Sequence, residues 1–221
     1  MISRLPKWVW WGGWALAFAA GFVNVIGLLG FDHQAVTHLT GTTSLLGAAV
    51  AAGDIAGILH FTAVIGVFVA GCTLSGFITE DGALQLGRRY GVALLLESLL
   101  LCLAVPLLDR GQHLGIYLAA GACGLQNAMV STYSGAVIRT THLSGMFTDL
   151  GIFLGHTLRG LPVDPKRLKL CVLVISGFLL GGIAGARAFR HVSYAALFFP
   201  AGFTAIAGVA CVIYRRYHPK S

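Results

Sequence analysis

The hydrophobic residues of this chain fall in long continuous runs and do not follow the one-sided periodicity of a soluble helix or strand. Six runs are long enough to be considered as spans, and they cover about 8–29, 58–77, 92–107, 114–137, 170–186 and 194–213. A helix needs roughly 20 apolar residues to cross the hydrocarbon core of a bilayer. The pattern therefore predicts an all-α polytopic membrane protein with about six transmembrane helices.

Two shorter segments begin with nearly the same sequence. Residues 37–47 read THLTGTTSLLG, and residues 141–151 read THLSGMFTDLG, 104 positions later. This match indicates an internal duplication within one membrane domain, with repeats at about 8–108 and 112–214. Because each segment is short and rich in glycine and hydroxyl residues, we expect two re-entrant or broken motif helices in addition to the six spans.

The distribution of basic residues favours one topology. If both motif segments enter the membrane and return on the same side, 12 of the 15 lysines and arginines lie on one side and three on the other. If both segments cross, the division is 10 to 5. Basic loops are retained in the cytoplasm, so the first arrangement is preferred, with both termini and residues 159–169 cytoplasmic. Three crossings then separate the repeats, which makes the two halves inverted.

Composition restricts the classes of function. The chain is 57% hydrophobic and 10% charged, whereas soluble domains carry about 25% charged residues. The basic residues lie at segment ends, which argues against a nucleic-acid partner. The five cysteines lie singly in apolar runs, and the chain has no GxSxG, HExxH or phosphate-loop motif. We therefore expect a protein embedded in the lipid bilayer that is not an enzyme and has no cofactor, disulfide or metal site.

The repeated motif, Thr-His-Leu-(Thr/Ser)-Gly, supplies candidate binding residues. Hydroxyl residues can cap a helix N-terminus, glycine lets a backbone or ligand approach, and helix N-termini suit polar or anionic ligands. The amides of GFVN and GLQN precede the two motifs at matching distances. The candidate substrate-binding residues are Asn24, His38, Thr40, Gly41, Gln126, Asn127, His142, Ser144 and Gly145. Helix packing and interhelical hydrogen bonding are the alternative interpretation of the same residues.

The second motif segment is more polar than the first. His142, Asp149 and His156 are spaced seven apart and share a helical face. A carboxylate inside a membrane segment must face protein or water, and imidazole titrates at about pH 6.5. We expect Asp149 and His156, together with Arg139, to form either a proton relay or a structural ion pair. Glu97 stands alone in LLLESLLL and either pairs with a base or takes a proton.

Glycines at four-residue spacing predict close helix packing. Gly177, Gly181 and Gly185 form GxxxGxxxG, and Gly151 with Gly155 forms GxxxG. Such faces pack within one protomer or between the protomers of a homo-oligomer, and the sequence leaves both alternatives open.

The segments AAGFVNVIGLLGF, HQAVTHLTG, GLQNAMVS and RTTHLSGMFTDLG together resemble the YoaK-like family of bacterial membrane proteins. The resemblance extends over roughly 15–210. It implies a multi-pass protein of the bacterial inner membrane with about six spans. The family is largely of unknown function, so the resemblance implies no substrate.

These features lead to one preferred function and two alternatives. The preferred hypothesis is a secondary transporter or facilitator for a small polar solute, anions included, with its site between the two motif segments. The alternatives are a structural or sensory membrane protein without a transported solute, and a membrane-embedded enzyme or accessory subunit. Motif ends that converge on a solvent-connected cavity would favour transport, whereas a sealed polar interface would favour the structural role.

Overall fold

The structure is a computed structural model that describes residues 7–79, 88–134 and 138–217. The described residues form α-helices and one 3₁₀ turn, with no strand among them. The helices are α1 (Lys7–Leu29), α2 (Leu39–Ala52), α3 (Ile55–Ile78), α4 (Arg88–Asp109), α5 (His113–Tyr133), α6 (Leu143–Leu158), α7 (Pro165–Val192) and α8 (Phe198–Tyr217), and the 3₁₀ turn is Ser193–Leu197.

The helices fall into two length classes. Six of those described (α1, α3, α4, α5, α7 and α8) have 20 residues or more and are therefore at least about 30 Å long. The motif helices α2 and α6 have only 14 and 16 residues. In the described part of the chain, the stretches long and apolar enough to cross a membrane are Trp8–Leu29, Ile55–Ile78, Arg89–Asp109 and Pro165–Tyr214, the last containing α7 and most of α8. The protein is an all-α polytopic membrane protein, as predicted.

Helices α1 and α7 pack in parallel through glycine. The glycines of α7 meet the backbone of α1 in sequence order: Gly177 against Trp14, Gly181 against Phe18, and Gly185 against Phe22. A Cβ at Gly181 would overlap the Phe18 carbonyl. The GxxxGxxxG face therefore packs within the protomer, as one of the two alternatives predicts.

The same contact occurs a second time between α3 and α5. Gly71 of α3 meets the Gly121 carbonyl of α5, and this contact matches that of Gly181 with Phe18. Gly124 of α5 meets the Phe68 carbonyl of α3. This second contact matches that of Gly21 with the Phe178 carbonyl. Matched residues lie 110 positions apart between α3 and α7, and 103 apart between α1 and α5. The same helix crossing is thus present twice, and each copy pairs one helix of the first half with one helix of the second.

Helix α4 packs on α5 and α8 and runs antiparallel to both. Leu108, near its end, packs on Gly115 at the start of α5, and Glu97 in its middle contacts Gln126 further along α5. The end of α4 shares an apolar cluster with the start of α8, whereas Gly91 at its beginning meets a glycine in the second half of α8.

Two apolar clusters lie towards opposite ends of α1. One contains the later residues of α1, such as Ile26, together with Val36 from the loop before α2. The other contains the earlier residues of α1, such as Val9, together with Ile138 and Met146 from around the start of α6. The two motif helices therefore begin in different clusters.

Several predicted boundaries differ from the observed ones. The stretch 159–169 is not entirely a loop, because Asp164 accepts hydrogen bonds from the Lys166 and Arg167 amides and starts α7 there. The run 114–137 corresponds to α5, which ends at Tyr133, and residues 135–137 lie outside the described residues. Gly151 and Gly155 are not closely packed within the described part of the protomer, because a Cβ at either would meet nothing there within 4 Å.

Candidate functional site

Each motif histidine precedes a short helix and folds back over a motif glycine. His38 stands at the cap of α2 with φ −97° and ψ 66°, and His142 stands at the cap of α6 with φ −93° and ψ 54°. A Cβ at Gly41 or Gly145 would overlap the imidazole of the histidine three residues earlier. The glycine of the motif is therefore explained by the space that the ring needs, and both histidine side chains remain exposed.

The cap histidines leave the first turn of each helix open to other partners. Neither makes a side-chain capping hydrogen bond, and the motif residues Thr40 and Ser144 are exposed beside them. Free backbone N–H groups at a helix start are suited to polar or anionic groups. This arrangement is present in both halves.

In the first half, side chains hold the loop before the motif by hydrogen bonds. The Thr37 amide donates to Asn24 Oδ1 at 3.0 Å, and the Thr37 hydroxyl donates to the same oxygen at 2.7 Å. Gln34 Nε2 donates to Thr42 Oγ1 at 2.8 Å, and both side chains are buried. The loop is thus fastened to α1 through Asn24 and to α2 through Thr42.

In the second half, the amide that corresponds to Asn24 makes no such bond. Asn127 Oδ1 is buried, and no described residue donates a hydrogen bond to it. The neighbouring Gln126 instead donates from Nε2 to Glu97 Oε1 at 3.0 Å and accepts from the Thr140 hydroxyl at 3.5 Å. Within the described residues, Glu97 Oε2 is also buried without a hydrogen-bond partner.

Each motif helix and the loop before it form a motif junction, residues 34–42 in the first half and 138–146 in the second. A polar pair in the first junction is replaced by an apolar pair in the second. Gln34 and Thr42 correspond, at the motif offset, to Ile138 and Met146. Ile138 and Met146 are 1% and 8% exposed and belong to one apolar cluster. The two junctions therefore share the His–Gly start but have different surroundings.

The predicted cluster around Asp149 is not assembled. Its carboxylate forms an ion pair with Arg167 of α7 at 3.2 Å. Among the described residues it has no bond to His142, His156 or Arg139, although the two histidines share its helix. The sequence did not predict Arg167 as the partner of Asp149, because Arg167 lies in the stretch 159–169, whose sequence is typical of a cytoplasmic loop.

The two motif helices do not meet. Helix α2 packs on α3 and α6 packs on α7, and α2 and α6 share no contact in the described residues. A cavity of about 270 Å³ lies elsewhere, between α1 and α8, and its lining is apolar: Trp14, Ala15, Phe18, Ala19, Phe199, Pro200 and Phe203. The expected convergence of both motif ends on one cavity is therefore not observed.

The family model described as "Protein of unknown function (DUF1275)" matches residues 12–210. The chain belongs to the DUF1275 family. This confirms the resemblance to the YoaK-like family. No curated protein and no solved structure matches the chain.

The part of the chain that matches the DUF1275 model also contains a cluster of polar side chains that the sequence did not predict. Asp32, His60 and His113 lie close together although they come from three segments. Two of them are histidines near the start of a long helix, and no spacing rule links the three positions. Only the folded chain identifies them as a group.

Proposed function

We propose that this DUF1275 protein is a secondary transporter or facilitator for a small polar solute, anions included, that passes between the two motif junctions. The observation that carries the proposal is the difference between two matched amides. Asn24 is bound to its motif loop by two hydrogen bonds, whereas the buried carbonyl of Asn127 accepts none from any residue that the structure describes. Alternating access works by movement of one repeat against the other, and a duplicated junction held in two states supports such a mechanism.

The proposal includes an inverted arrangement of the halves in a bacterial inner membrane, with both termini cytoplasmic. Its support is the direction of the helices. The start of α1 lies at the end of α5, where the rings of Trp8 and Tyr133 are 5.3 Å apart. Just beyond the end of α1, Phe31 lies 5.5 Å from the ring of His113, where α5 begins. The first helices of the two halves thus run in opposite directions, in agreement with the 12 to 3 division of basic residues.

For coupling to protons, we propose Glu97 in place of Asp149. An ionisable group inside a membrane is costly and is a functional candidate by default. Glu97 is 3% exposed, is held by Gln126, and forms no ion pair in the described part of the chain. Asp149 has Arg167 as a partner, which supports the structural alternative for that residue.

A structural or sensory role is the second candidate, and a separate observation favours it. Gln126 and Thr140 are 1% and 0% exposed, so the polar set of the second junction is sealed in this conformation. A sealed polar interface is what a purely structural role requires. The proposal of transport adds that this interface opens during the cycle, and no enzymatic step is included.

The experiment is a thermal-shift screen followed by uptake. The purified protein is screened against small polar and anionic metabolites, because a ligand that binds the folded state raises the melting temperature. Each stabilising compound is then offered to proteoliposomes containing the wild type or Asn127→Ala. We expect saturable uptake by the wild type and reduced uptake by Asn127→Ala at an unchanged melting temperature. Compounds that stabilise the wild type without being taken up would reject transport in favour of a sensory role.

A further inference from the structure

Three potential metal ligands converge where α1 ends and α3 and α5 begin. Asp32 follows α1, His60 lies in the second turn of α3, and His113 is the first residue of α5. Asp32 Oδ2 is 3.0 Å from His60 Nε2, and Asp32 Oδ1 is 3.4 Å from His113 Nδ1. One ligand atom from each residue lies within 4.8 Å of those of the other two. The first two residues come from the first repeat and the third from the second.

The separations match those within a metal coordination sphere. Zinc binds histidine nitrogen and carboxylate oxygen at about 2.0–2.2 Å in a tetrahedron, so neighbouring ligand atoms are about 3.3 Å apart. The distances of 3.0 and 3.4 Å, each to a different oxygen of Asp32, lie on either side of that value, and the set of ligand atoms lies within 4.8 Å. A small shift of the side chains would place one ion within reach of all three.

Unsatisfied polar atoms also point to a missing partner. Asp32 Oδ2 and His60 Nε2 are buried, and neither has a hydrogen-bond partner with acceptable geometry among the described residues, although the two atoms are close. Buried polar atoms are nearly always satisfied by protein, water or an ion. A cation between the two atoms would satisfy both.

The second ring nitrogen of His60 is occupied in the way that metal sites require. His60 Nδ1 lies 3.1 Å from the Tyr117 hydroxyl, and metal-binding histidines almost always use their other nitrogen in such a hydrogen bond. The bond orients Nε2 towards Asp32. The side chain of His113 is 55% exposed, whereas those of Asp32 and His60 are 15% exposed. The cluster is therefore open to solvent on one side, which provides an entry path and room for a water ligand.

We propose that Asp32, His60 and His113 bind a divalent transition-metal ion, with Zn²⁺ the best fit and water in the fourth position. Two imidazoles and a carboxylate suit zinc and its neighbours, whereas calcium and magnesium prefer oxygen ligands alone. The ion would connect the loop after α1 to α3 and α5, and thereby join the two halves of the chain. This inference does not depend on the transport proposal.

The test measures zinc binding to the purified protein in detergent after removal of metal by a chelator. We expect one Zn²⁺ per chain by titration calorimetry and by metal analysis after dialysis, with a higher melting temperature in saturating ZnCl₂. The variants Asp32→Asn, His60→Ala and His113→Ala should lose stoichiometric binding. Tyr117→Phe should weaken the affinity about 10- to 100-fold, as loss of an outer hydrogen bond does.

His33→Ala is the matched control, because His33 is exposed and adjoins Asp32, and the hydrogen bond that its ring makes among the described residues is to the Leu28 carbonyl at 3.3 Å. It should bind zinc like the wild type. The melting temperature of every variant without zinc reports its folding, and Asp32→Asn keeps the shape of the side chain if His60→Ala does not fold. A wild type without stoichiometric binding would overturn the site, as would binding that persists in both Asp32→Asn and His113→Ala.

Discussion

The two motif junctions begin alike and are held by different forces. In both, a histidine precedes a short helix and its ring lies over a glycine. Hydrogen bonds from Thr37 to Asn24 and from Gln34 to Thr42 hold the first junction. At the second junction Ile138 and Met146 pack in an apolar cluster, and the hydrogen bonds are those of Ile138 with Ser134 and of Thr140 with Gln126. The motif itself therefore specifies how the helix starts, and the residues around it decide how firmly the loop is held.

The long helices around the junctions, in contrast, make the same contacts in both copies. The glycine contacts between α1 and α7 recur between α5 and α3 at matched positions. Where two helices touch backbone to backbone at a glycine, the sequence can vary little, because any added side-chain atom forces the helices apart. We call these two matched crossings, α1 with α7 and α5 with α3, the common frame. The halves share this frame, and their differences are concentrated at the two junctions.

Adding a side chain at the crossing glycines of the common frame should change the stability most. Gly71→Ala and Gly181→Ala should each lower the free energy of unfolding by about 1–3 kcal/mol or more, because the new Cβ would overlap a backbone carbonyl. Unfolding by sodium dodecyl sulfate measures the change. Gly151→Ala is the control, since a Cβ there meets no neighbour, and alanine favours a helix by about 1 kcal/mol over glycine. A large effect at only one of the two crossings would contradict the duplicated frame.

Next in size is the effect of removing the matched amides. Asn24→Ala should lower the free energy of unfolding by about 1–3 kcal/mol, because the buried Thr37 amide and hydroxyl lose their acceptor. Asn127→Ala should cost less than about 1 kcal/mol, since no donor in the described part of the chain bonds its carbonyl. The same unfolding titration compares the two. Equal costs would show that the junctions are held equally.

The smallest effect is expected at Asp149. Its partner Arg167 has a side chain that is 53% exposed, and ion pairs of this kind contribute about 0–1 kcal/mol. Asp149→Asn should therefore lower the stability by less than about 1 kcal/mol and leave the pH dependence of uptake unchanged. A double-mutant cycle with Arg167→Gln measures the pair. Loss of pH-dependent uptake in a stable Asp149→Asn protein would restore Asp149 as a proton relay.

The sequence predicts the frame well and the polar contacts poorly, for a physical reason. Apolar runs and GxxxG spacing are local patterns, so the helices and the packing of Gly181 follow from them. Partner choice is not local. Arg167 pairs with Asp149 only because the hairpin of α6 and α7 brings them together. His60 and His113 come together only because α3 and α5 pack in parallel.

The two motif loops differ in how the residue before the histidine is held: the Thr37 amide donates to Asn24, whereas Asn127 accepts no hydrogen bond from the Thr141 amide in the described part of the chain. Hydrogen–deuterium exchange of the purified protein measures this directly through peptides that contain Thr37 or Thr141. We expect slow exchange at the Thr37 amide, which donates to Asn24, and faster exchange at Thr141. We also expect that Asn24→Ala accelerates exchange at Thr37, while Asn127→Ala leaves Thr141 unchanged. Equal protection of both amides in the wild type would contradict the claim.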